Sequence, residues 1–541
     1  MDAIRLQNYR CFDDTQMIPL KPLTLLLGRN SSGKSSFLRM FPVFRQTFET
    51  RTRTPLLWFG RLVDLGTFDD VVRSKSSSNE ITVSFKMTNG IAESAVMKTA
   101  TYQNQGYYRY YWPIIQRSLE VWPVELSASI ARDLDAKVDY TSKVSIKVAG
   151  HNLTIFASKA NHLSKIDING RDLTKYFAEE MSANVGNLIP ILRLRSVEEQ
   201  PMQSTEVNGN SKKVRLPSVL LTDLVKGLRA RIVHGRSREN KAFDLANSFL
   251  PNTNESLLRQ VKTRSDAGTY WLSHVLQWNE NNEDFKFFRD YVLALHLTTL
   301  LYVVNERISA EMHNIHYLKP LRATANRYYR FQDLAVDEID PQGENLPMFI
   351  NSLPIPDLAD FNKWLHGNLG FRVDPEQIGG HVSLHVTEAD QSAHNLADSG
   401  FGYSQVLPIA TQLWWQVKTG TKSNRQLRQK NIDCGFFVVE QPELHLHPCM
   451  QAQVADTFVA AISYAKDQNS GIRIVAETHS ESIINRIGQL ICDKKLNRDD
   501  VNIVIFDKEG SSKPCTVTCA TYDDQGYLQN WPYGFFSANR I

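Results

Sequence analysis

Residues 23–36 read LTLLLGRNSSGKSS, an apolar run followed directly by the pattern G-x-x-x-x-G-K-S. The apolar run predicts a buried strand, and residues 36–41, which read SFLRMF, predict a helix after the pattern. Glycines allow such a loop to fold tightly, so that several backbone N–H groups and the start of the helix point at one anion. The arrangement therefore predicts a binding loop for the phosphates of a nucleoside triphosphate.

This phosphate loop supplies most of the candidate ligand-binding residues. They are Gly28, Arg29, Asn30, Ser31, Ser32, Gly33, Lys34, Ser35 and Ser36. In a loop of this pattern the lysine reaches the β- and γ-phosphates, and the hydroxyl that follows it binds Mg²⁺. We therefore expect ATP and Mg²⁺ as cofactors, with Lys34 on the phosphates and Ser35 on the metal.

The composition is that of an ordinary globular protein. Of the 541 residues 42% are hydrophobic and 22% are charged, which argues against wholesale disorder. No apolar run approaches the roughly 20 residues of a membrane span, and the first residues lack the pattern of a signal peptide. We expect a cytoplasmic protein with no membrane partner. The six cysteines form no C-x-x-C pair, which argues against a zinc ribbon or a disulfide framework.

Changes in residue pattern divide the chain into three predicted regions. Residues 1–170 combine the phosphate loop with a β-rich part, and residues 171–314 form a mostly helical insertion without heptads. Residues 315–541 alternate apolar strands with helices. Such alternation predicts an α/β fold with a mixed, mostly parallel sheet and helices on its faces.

Two further apolar strands end in polar residues. Residues 436–448 read FFVVEQPELHLHP, so that Glu440 stands at the end of the first strand. Residues 474–480 read IVAETHS, and their tip carries His479. An acid at a strand end beside a phosphate loop holds the Mg²⁺ shell, and an imidazole there suits the γ-phosphate. Ser35 and Glu440 are therefore the predicted metal ligands.

A fourth segment, residues 396–405, reads LADSGFGYSQ and opens a predicted helix with small residues. Small residues at a helix start leave backbone N–H groups accessible to phosphate.

In this order the four segments resemble the ABC-type ATPases of the chromosome-maintenance and DNA-repair branch. They resemble more closely the ATPase domain of overcoming-lysogenization-defect (OLD) family proteins, through E-x-P-E-x-H-L-H-P, T-H-S and G-F-G-x-S-Q. The match covers residues 1–110 and 315–510, including YLKPLR at 317–322 and GEN at 343–345. It implies an ABC-type ATPase head that forms a homodimer or a higher oligomer through its face.

The resemblance also implies roles for individual residues. One head would hold the nucleotide with its phosphate loop, and the other head would close on it with the helix start. The residues implied to act in cis are Lys34, Ser35, Glu440 and His479, and those implied to act in trans are Ser399, Gly400 and Gly402.

One position departs from the resemblance. Those ATPases commonly carry a second acid after the first, and it polarises the attacking water, whereas this chain has Gln441. An amide cannot accept a proton, and loss of a general base typically costs about 10²- to 10⁴-fold in rate. We therefore predict ATP binding and head closure with slow hydrolysis. The alternative is that Glu443 or His479 supplies the base.

Standalone ATPases of similar sequence, PtuA-like subunits with the form E-Q-P-E-x-H-L-H-P, occur in Septu and retron antiviral systems beside a separate HNH nuclease. The resemblance implies a regulatory subunit of such a nuclease. One alternative is a DNA-repair or chromosome-maintenance ATPase acting directly on DNA, which the lack of a long coiled coil disfavours. Another is an OLD-like nuclease with an unrecognised metal site, although Asp507 has no D-x-D partner. Zinc binding by His445 and His447 is weakly supported, since no cysteine pair is near.

Basic residues concentrate between Lys212 and Lys241, where nine lysines and arginines face two acids. This basic cluster is a candidate contact for a nucleic-acid backbone, and a solvated face is the alternative. The basic residues are Lys212, Lys213, Arg215, Lys226, Arg229, Arg231, Arg236, Arg238 and Lys241. A second basic run over residues 418–430 more simply predicts a solvated face.

Overall fold

The computed structural model describes most of the residues of the chain. They are residues 1–73, 79–103, 120–181, 188–196, 218–231, 245–264, 268–331, 338–388, 392–427, 435–468, 470–508, 510 and 513–532.

The described part contains twenty strands. They are β1 (Ala3–Tyr9), β2 (Phe12–Asp14), β3 (Ile18–Pro19), β4 (Leu23–Gly28), β5 (Glu80–Ala92), β6 (Val121–Asp133), β7 (Val138–Val148), β8 (His151–Lys159), β9 (His162–Ile168), β10 (Arg171–Asp172), β11 (Ile315–Leu318), β12 (Tyr329–Arg330), β13 (Phe371–Ile378), β14 (His381–Glu388), β15 (His394–Asn395), β16 (Phe436–Glu440), β17 (Arg473–Glu477), β18 (Val501–Asp507), β19 (Thr516–Tyr522) and β20 (Leu528–Gln529).

The α-helices are α1 (Lys34–Leu38), α2 (Met40–Glu49), α3 (Phe68–Val71), α4 (Glu93–Gln103), α5 (Val219–Arg231), α6 (Asn254–Lys262), α7 (Thr269–Val275), α8 (Glu283–Leu295), α9 (Leu297–His313), α10 (Leu346–Ser352), α11 (Ile355–Leu369), α12 (Phe401–Leu427), α13 (Pro448–Asp467) and α14 (Glu481–Cys492). Short 3₁₀ turns cover Thr174–Tyr176 and Arg498–Asp500.

The chain divides into two compact units. The first unit contains residue 1, residues 50–56 and residues 79–309, and the second contains residues 2–49, 57–78 and 310–541. The phosphate loop and the other candidate site segments all belong to the second unit.

A seven-stranded sheet forms the centre of the second unit, in the order β11-β16-β17-β4-β18-β19-β20. The first five strands are parallel, and β19 and β20 continue the sheet in antiparallel pairing. Every residue of β4 is buried, which is expected of a central strand covered on both faces. The predicted α/β class, with a mixed, mostly parallel sheet, is confirmed.

Helices cover both faces of this sheet because alternate side chains of a strand point to opposite sides. On one face, Leu25 of β4 joins a buried cluster to which α11, α12, α13 and α14 contribute. On the other face, the rings of Phe37 in α1 and Phe506 in β18 lie 5.6 Å apart. The rings of Phe41 in α2 and Phe436 in β16 lie 5.5 Å apart.

The strand order determines where the site forms. β17 lies between β4 and β16, and in register Glu477 pairs with Leu26 on one side and with Glu440 on the other. The carboxyl ends of parallel strands meet at one edge of a sheet, which is where ligands bind in open α/β folds. Gly28, Glu477 and Glu440 therefore come together although they lie far apart in sequence.

A smaller antiparallel sheet precedes α12 in the second unit. Its strands follow the order β12-β14-β13, and β15 pairs with β14. The chain passes from β15 through residues 396–400 into α12, so this sheet leads directly to the segment that opens the long helix.

The first unit combines an antiparallel meander with helices. Strands β5 to β10 each pair with the next strand in sequence. Helices α5 to α8 and most of α9 follow in the region of the predicted helical insertion, and aromatic residues pack among them. The rings of Phe249 and Phe288, for example, meet edge to face at 4.9 Å.

No single helix in the described ranges has the length and apolar character to cross a membrane. One helix pair, α8 with α9, passes the length and composition criteria together, and it is bent by 59°.

Candidate functional site

Two glycines shape the phosphate loop after β4. Gly28 has φ 153°, and a Cβ there would lie 2.3 Å from the backbone oxygen of Phe506. Gly33 has φ 100°, and its Cβ would lie 2.6 Å from both Cys11 Sγ and the ring of Phe12. Other residues rarely adopt such backbone angles, and no side chain fits here without displacing neighbours. The two glycines of the pattern are thus required by the close approach of the surrounding chain.

Lys34 begins α1 and is almost completely buried, with 3% of its surface exposed. Its Nζ donates to the carbonyl oxygens of Gly28, at 3.0 Å, and Arg29, at 2.8 Å. Burial lowers the pKa of Lys34, and the Glu477 carboxylate, 4.0 Å from Nζ, opposes that shift. The ammonium group therefore lies inside the loop that is predicted to hold the phosphates.

Ser35 contacts an acid that the sequence analysis did not select. Its Oγ donates a 2.9 Å hydrogen bond to Glu477 Oε1, at the end of β17. Glu477 is 3% exposed, and its other oxygen, Oε2, has no hydrogen-bond partner among the described residues. Burial raises the pKa of Glu477, the bond from Ser35 lowers it, and the charge of Glu440 raises it.

Glu440 lies one strand further from the loop and makes a different set of contacts. Its Oε1 accepts hydrogen bonds from Arg39 Nε at 2.8 Å and from the Tyr317 hydroxyl at 2.6 Å. Its Oε2 accepts from the second guanidinium nitrogen of Arg39 at 2.9 Å. The carboxylate raises the pKa of Arg39, and burial raises the pKa of Tyr317. Assignment of Glu440 to the metal stays a prediction.

The tips of β16 and β17 are joined by backbone and side-chain bonds. Gln441 has a left-handed φ of 42°, and its N–H donates to the carbonyl oxygen of Glu477 at 2.8 Å. Glu443 accepts from the backbone N–H of His479 at 2.7 Å and from the Thr478 hydroxyl at 2.9 Å. The two oxygens of Glu443, the first alternative to Gln441 as a base, thus bind the β17 tip.

His479 comes two residues after the end of β17, and part of its surface is exposed. Partial burial lowers the pKa of His479, and the charge of Lys34 lowers it further. The imidazole is therefore neutral near pH 7, so it can donate one hydrogen bond to a phosphate oxygen or accept one from water.

The segment that opens α12 has an accessible backbone. Ser399 Oγ donates to the Asn395 carbonyl oxygen at 3.1 Å. Gly400 is exposed, and a Cβ there would meet no atom within 4 Å. At Gly402 a Cβ would lie 3.0 Å from Met450 Sδ. Open space at Gly400 suits the approach of another molecule to the helix start.

Sequence reasoning missed four residues of this edge: Glu477, Arg39, Tyr317 and Arg322. Arg322 is buried, and its guanidinium donates to the Glu440 carbonyl oxygen at 3.1 Å. Burial lowers the pKa of Arg322 to about 10. Tyr317 and Arg322 lie in the YLKPLR stretch, and Glu477 directly precedes the T-H-S motif. A charged residue at the end of an apolar strand was the available signal for Glu477.

The described residues do not support the weak zinc alternative at His445 and His447, and they do not test the basic cluster. In the described ranges, no group of three or more His, Cys, Asp or Glu side chains could hold a metal ion, and this includes the surroundings of His445 and His447. Most of the basic cluster lies outside the described residues, and Lys226, Arg229 and Arg231 lie on α5. The nucleic-acid contact stays a prediction.

The strand order and the loop together define an α/β fold with a phosphate-binding loop at the carboxyl ends of its parallel strands. The chain belongs to the AAA_15 family, described as AAA ATPase domain, whose model matches residues 1–484. No curated protein matches the chain.

Several solved structures are similar to the chain. An Smc head domain of Pyrococcus furiosus with an extended coiled coil, bound to the C-terminal domain of ScpA, is 10% identical, with 96% of each chain covered and a TM-score of 0.34. The SMC head domain of Thermotoga maritima is 7% identical, with 96% of this chain and 97% of that chain covered and a TM-score of 0.33.

We predict that Lys34→Ala weakens ATP binding about 10- to 100-fold, because charge-assisted hydrogen bonds contribute about 1.5–3 kcal/mol. Calorimetric titration with ATP measures the effect. Lys363→Ala, which removes an exposed lysine from α11, is the matched control and should bind like the wild type. Unchanged ATP affinity in a folded Lys34→Ala protein contradicts the assignment of the loop.

Proposed function

We propose that this ATPase is a dimeric switch in which ATP closes two heads face to face. The supporting observation is that one head carries two separate sets of groups, one at the phosphate loop and one at a helix start. Lys34, Ser35 and Glu477 converge at the end of the sheet, whereas the accessible Gly400 lies at the start of another helix. If a second copy closed on this head, the start of its α12 would reach the side of the nucleotide that the first head leaves exposed.

The residues at the strand edge suit a nucleotide with Mg²⁺. This fit rests on the hydroxyl of Ser35, which donates to the buried carboxylate of Glu477. The other oxygen of that carboxylate, Oε2, has no hydrogen-bond partner among the described residues. When bound, Mg²⁺ neutralises phosphate charge during transfer. Lys34 would exchange its bonds to the loop carbonyls for bonds to the phosphates, and His479 would donate to the γ-phosphate. Ser399, Gly400 and Gly402 of the second copy would contact the nucleotide from the opposite side.

Hydrolysis in this switch is expected to be slow. The resemblance implies that Gln441 stands where related ATPases carry the carboxylate that polarises water, and Glu443 already accepts two hydrogen bonds from the β17 tip. A neutral His479 is the remaining candidate base among the predicted residues. The closed state would therefore last long enough to hold a partner protein.

The proposed partner is a separate HNH-type nuclease in bacterial antiphage defence, and the protein would be its regulatory subunit. The E-Q-P-E-x-H-L-H-P form supports this proposal, and membership of an ATPase family agrees with it. A chromosome-maintenance ATPase acting directly on DNA agrees with the family as well, so the partner has to be tested.

We expect Gly400→Asp to weaken ATP-dependent dimerisation at least about tenfold, because its carboxylate would face phosphate across the interface. The monomer should fold normally, since the position has open space around it. Light scattering with and without ATP measures the dimer. The control is Gly380→Asp, a second exposed glycine with no atom within 4 Å of its Cβ position. A wild type that stays monomeric with ATP refutes head closure.

Gln441→Glu should raise the rate of ATP hydrolysis by roughly tenfold or more. This lower bound is smaller than the rate effect of one general base, which is about 10²- to 10⁴-fold. Nucleotide affinity should change little, since the two side chains have nearly the same shape. Phosphate release at saturating ATP is the measurement, with Gln525→Glu as the exposed control. If the wild type already turns over rapidly and Gln441→Glu is no faster, another residue activates the water.

The partner is tested by co-expressing the chain with its neighbouring reading frames. We expect an HNH-type protein to co-purify with the wild type and its nuclease activity to change in the Lys34→Ala complex. Stimulation of the ATPase by duplex DNA without any partner would favour the chromosome-maintenance alternative. Metal-dependent nicking by the purified chain alone would favour an OLD-like nuclease.

A further inference from the structure

Two buried carboxylates stand side by side at the edge that holds the phosphate loop. Glu440 and Glu477 are directly paired in register on neighbouring parallel strands. Both are at most 3% exposed, so each needs a positive charge or hydrogen-bond donors to offset its burial. The two residues meet that requirement in different ways.

Glu440 obtains its partners from the protein. Arg39 binds both of its oxygens, and the Tyr317 hydroxyl binds one of them. This forked ion pair is the geometry that gives the strongest carboxylate contacts within a protein. A metal ion at Glu440 would have to compete with the Arg39 guanidinium for the same oxygens.

Glu477 is only partly satisfied by the protein. Oε1 accepts from Ser35 and lies 4.0 Å from Lys34 Nζ, whereas Oε2 is buried without a hydrogen-bond partner in the described chain. Leaving a buried acceptor unpaired costs about 1–3 kcal/mol, and more when the group is charged. Such a cost at the loop itself points to a bound cation or to the water that a cation carries.

The position of Glu477 also matches the preference of the metal. Mg²⁺ binds oxygen ligands, typically one or two carboxylates together with phosphates and water. Glu477 lies on β17, which is hydrogen-bonded to β4, whereas Glu440 is one strand further away. The acid nearest to the Ser35 hydroxyl is therefore Glu477.

We propose that Glu477 is the acidic residue of the Mg²⁺ site and that Glu440 is a positioning residue, which anchors Arg39 and Tyr317. This assignment replaces Glu440 by Glu477 as the carboxylate beside Ser35. It rests on the nucleotide-binding part of the proposed function and is independent of dimerisation and of any nuclease partner.

The test uses the full chain with ADP and Mn²⁺, a spin-active substitute for Mg²⁺, and measures bound Mn²⁺ by electron paramagnetic resonance. Glu477→Gln should weaken Mn²⁺ binding in the ADP complex about 10- to 100-fold, the usual effect of losing a residue that supports a metal. Its ADP affinity without metal should stay the same or increase, because a carboxylate beside phosphate is removed. That metal-free affinity also shows that the loop is folded.

Two further variants separate the alternatives. Glu440→Gln should keep Mn²⁺ affinity near the wild-type value and lower the thermal unfolding temperature, because the half-buried Arg39 loses its charged partner. Glu306→Gln, which changes an exposed acid in the middle of α9, is the control and should change neither quantity.

The proposal is overturned if Glu477→Gln keeps the wild-type Mn²⁺ affinity and Glu440→Gln loses Mn²⁺ binding. That result would assign the metal to Glu440. Glu477→Asp provides a second check, because it keeps the charge on a shorter side chain and should restore part of the Mn²⁺ affinity if Glu477 serves the metal. A failure of ATP-dependent dimerisation, measured separately, would leave this metal assignment intact.

Discussion

The parallel pairing of β17 between β4 and β16 is the constraint on which the site depends. It brings the phosphate loop, Glu477 and Glu440 to one edge, although Ser35 and its partner Glu477 are separated by 442 positions in sequence. Complete burial of β4 provides the driving force, because its side chains can leave water only when helices cover both faces of the sheet. A site assembled in this way exists only when the whole sheet has formed.

Buried charge gives this edge its rigidity. Lys34 lies near Glu477, Arg39 is paired with Glu440, and the guanidinium of Arg322 binds the Glu440 backbone. Removing one partner of a buried pair is strongly destabilising, because the other charge is left uncompensated. Such paired groups suit the proposed recognition of phosphate and metal at one edge of the sheet. The start of α12, by contrast, leaves Gly400 in open space.

This contrast agrees with an ATPase whose output is a conformational state. In the proposed switch, one face of the head would hold the nucleotide with buried groups, and the exposed start of α12 would offer its backbone to a second copy. The proposed cycle expects hydrolysis to be its slow step, because Gln441 is an amide and both oxygens of Glu443 are bound to the β17 tip. A long-lived closed state is useful for restraining an effector, whereas a DNA-processing motor needs repeated turnover.

Local pattern was sufficient for the phosphate loop and for the α/β class. The spacing of Gly28, Gly33 and Lys34 follows from backbone geometry, and apolar strands that alternate with helices have few ways to bury themselves. The local sequence pattern could not decide whether Glu440 or Glu477 contacts Ser35, since each ends an apolar strand. Only the tertiary structure decided which of them contacts Ser35, because the order of strands in a sheet arises from long-range pairing. The same pairing brought Arg39 and Tyr317 to Glu440 and so occupied its carboxylate within the protein.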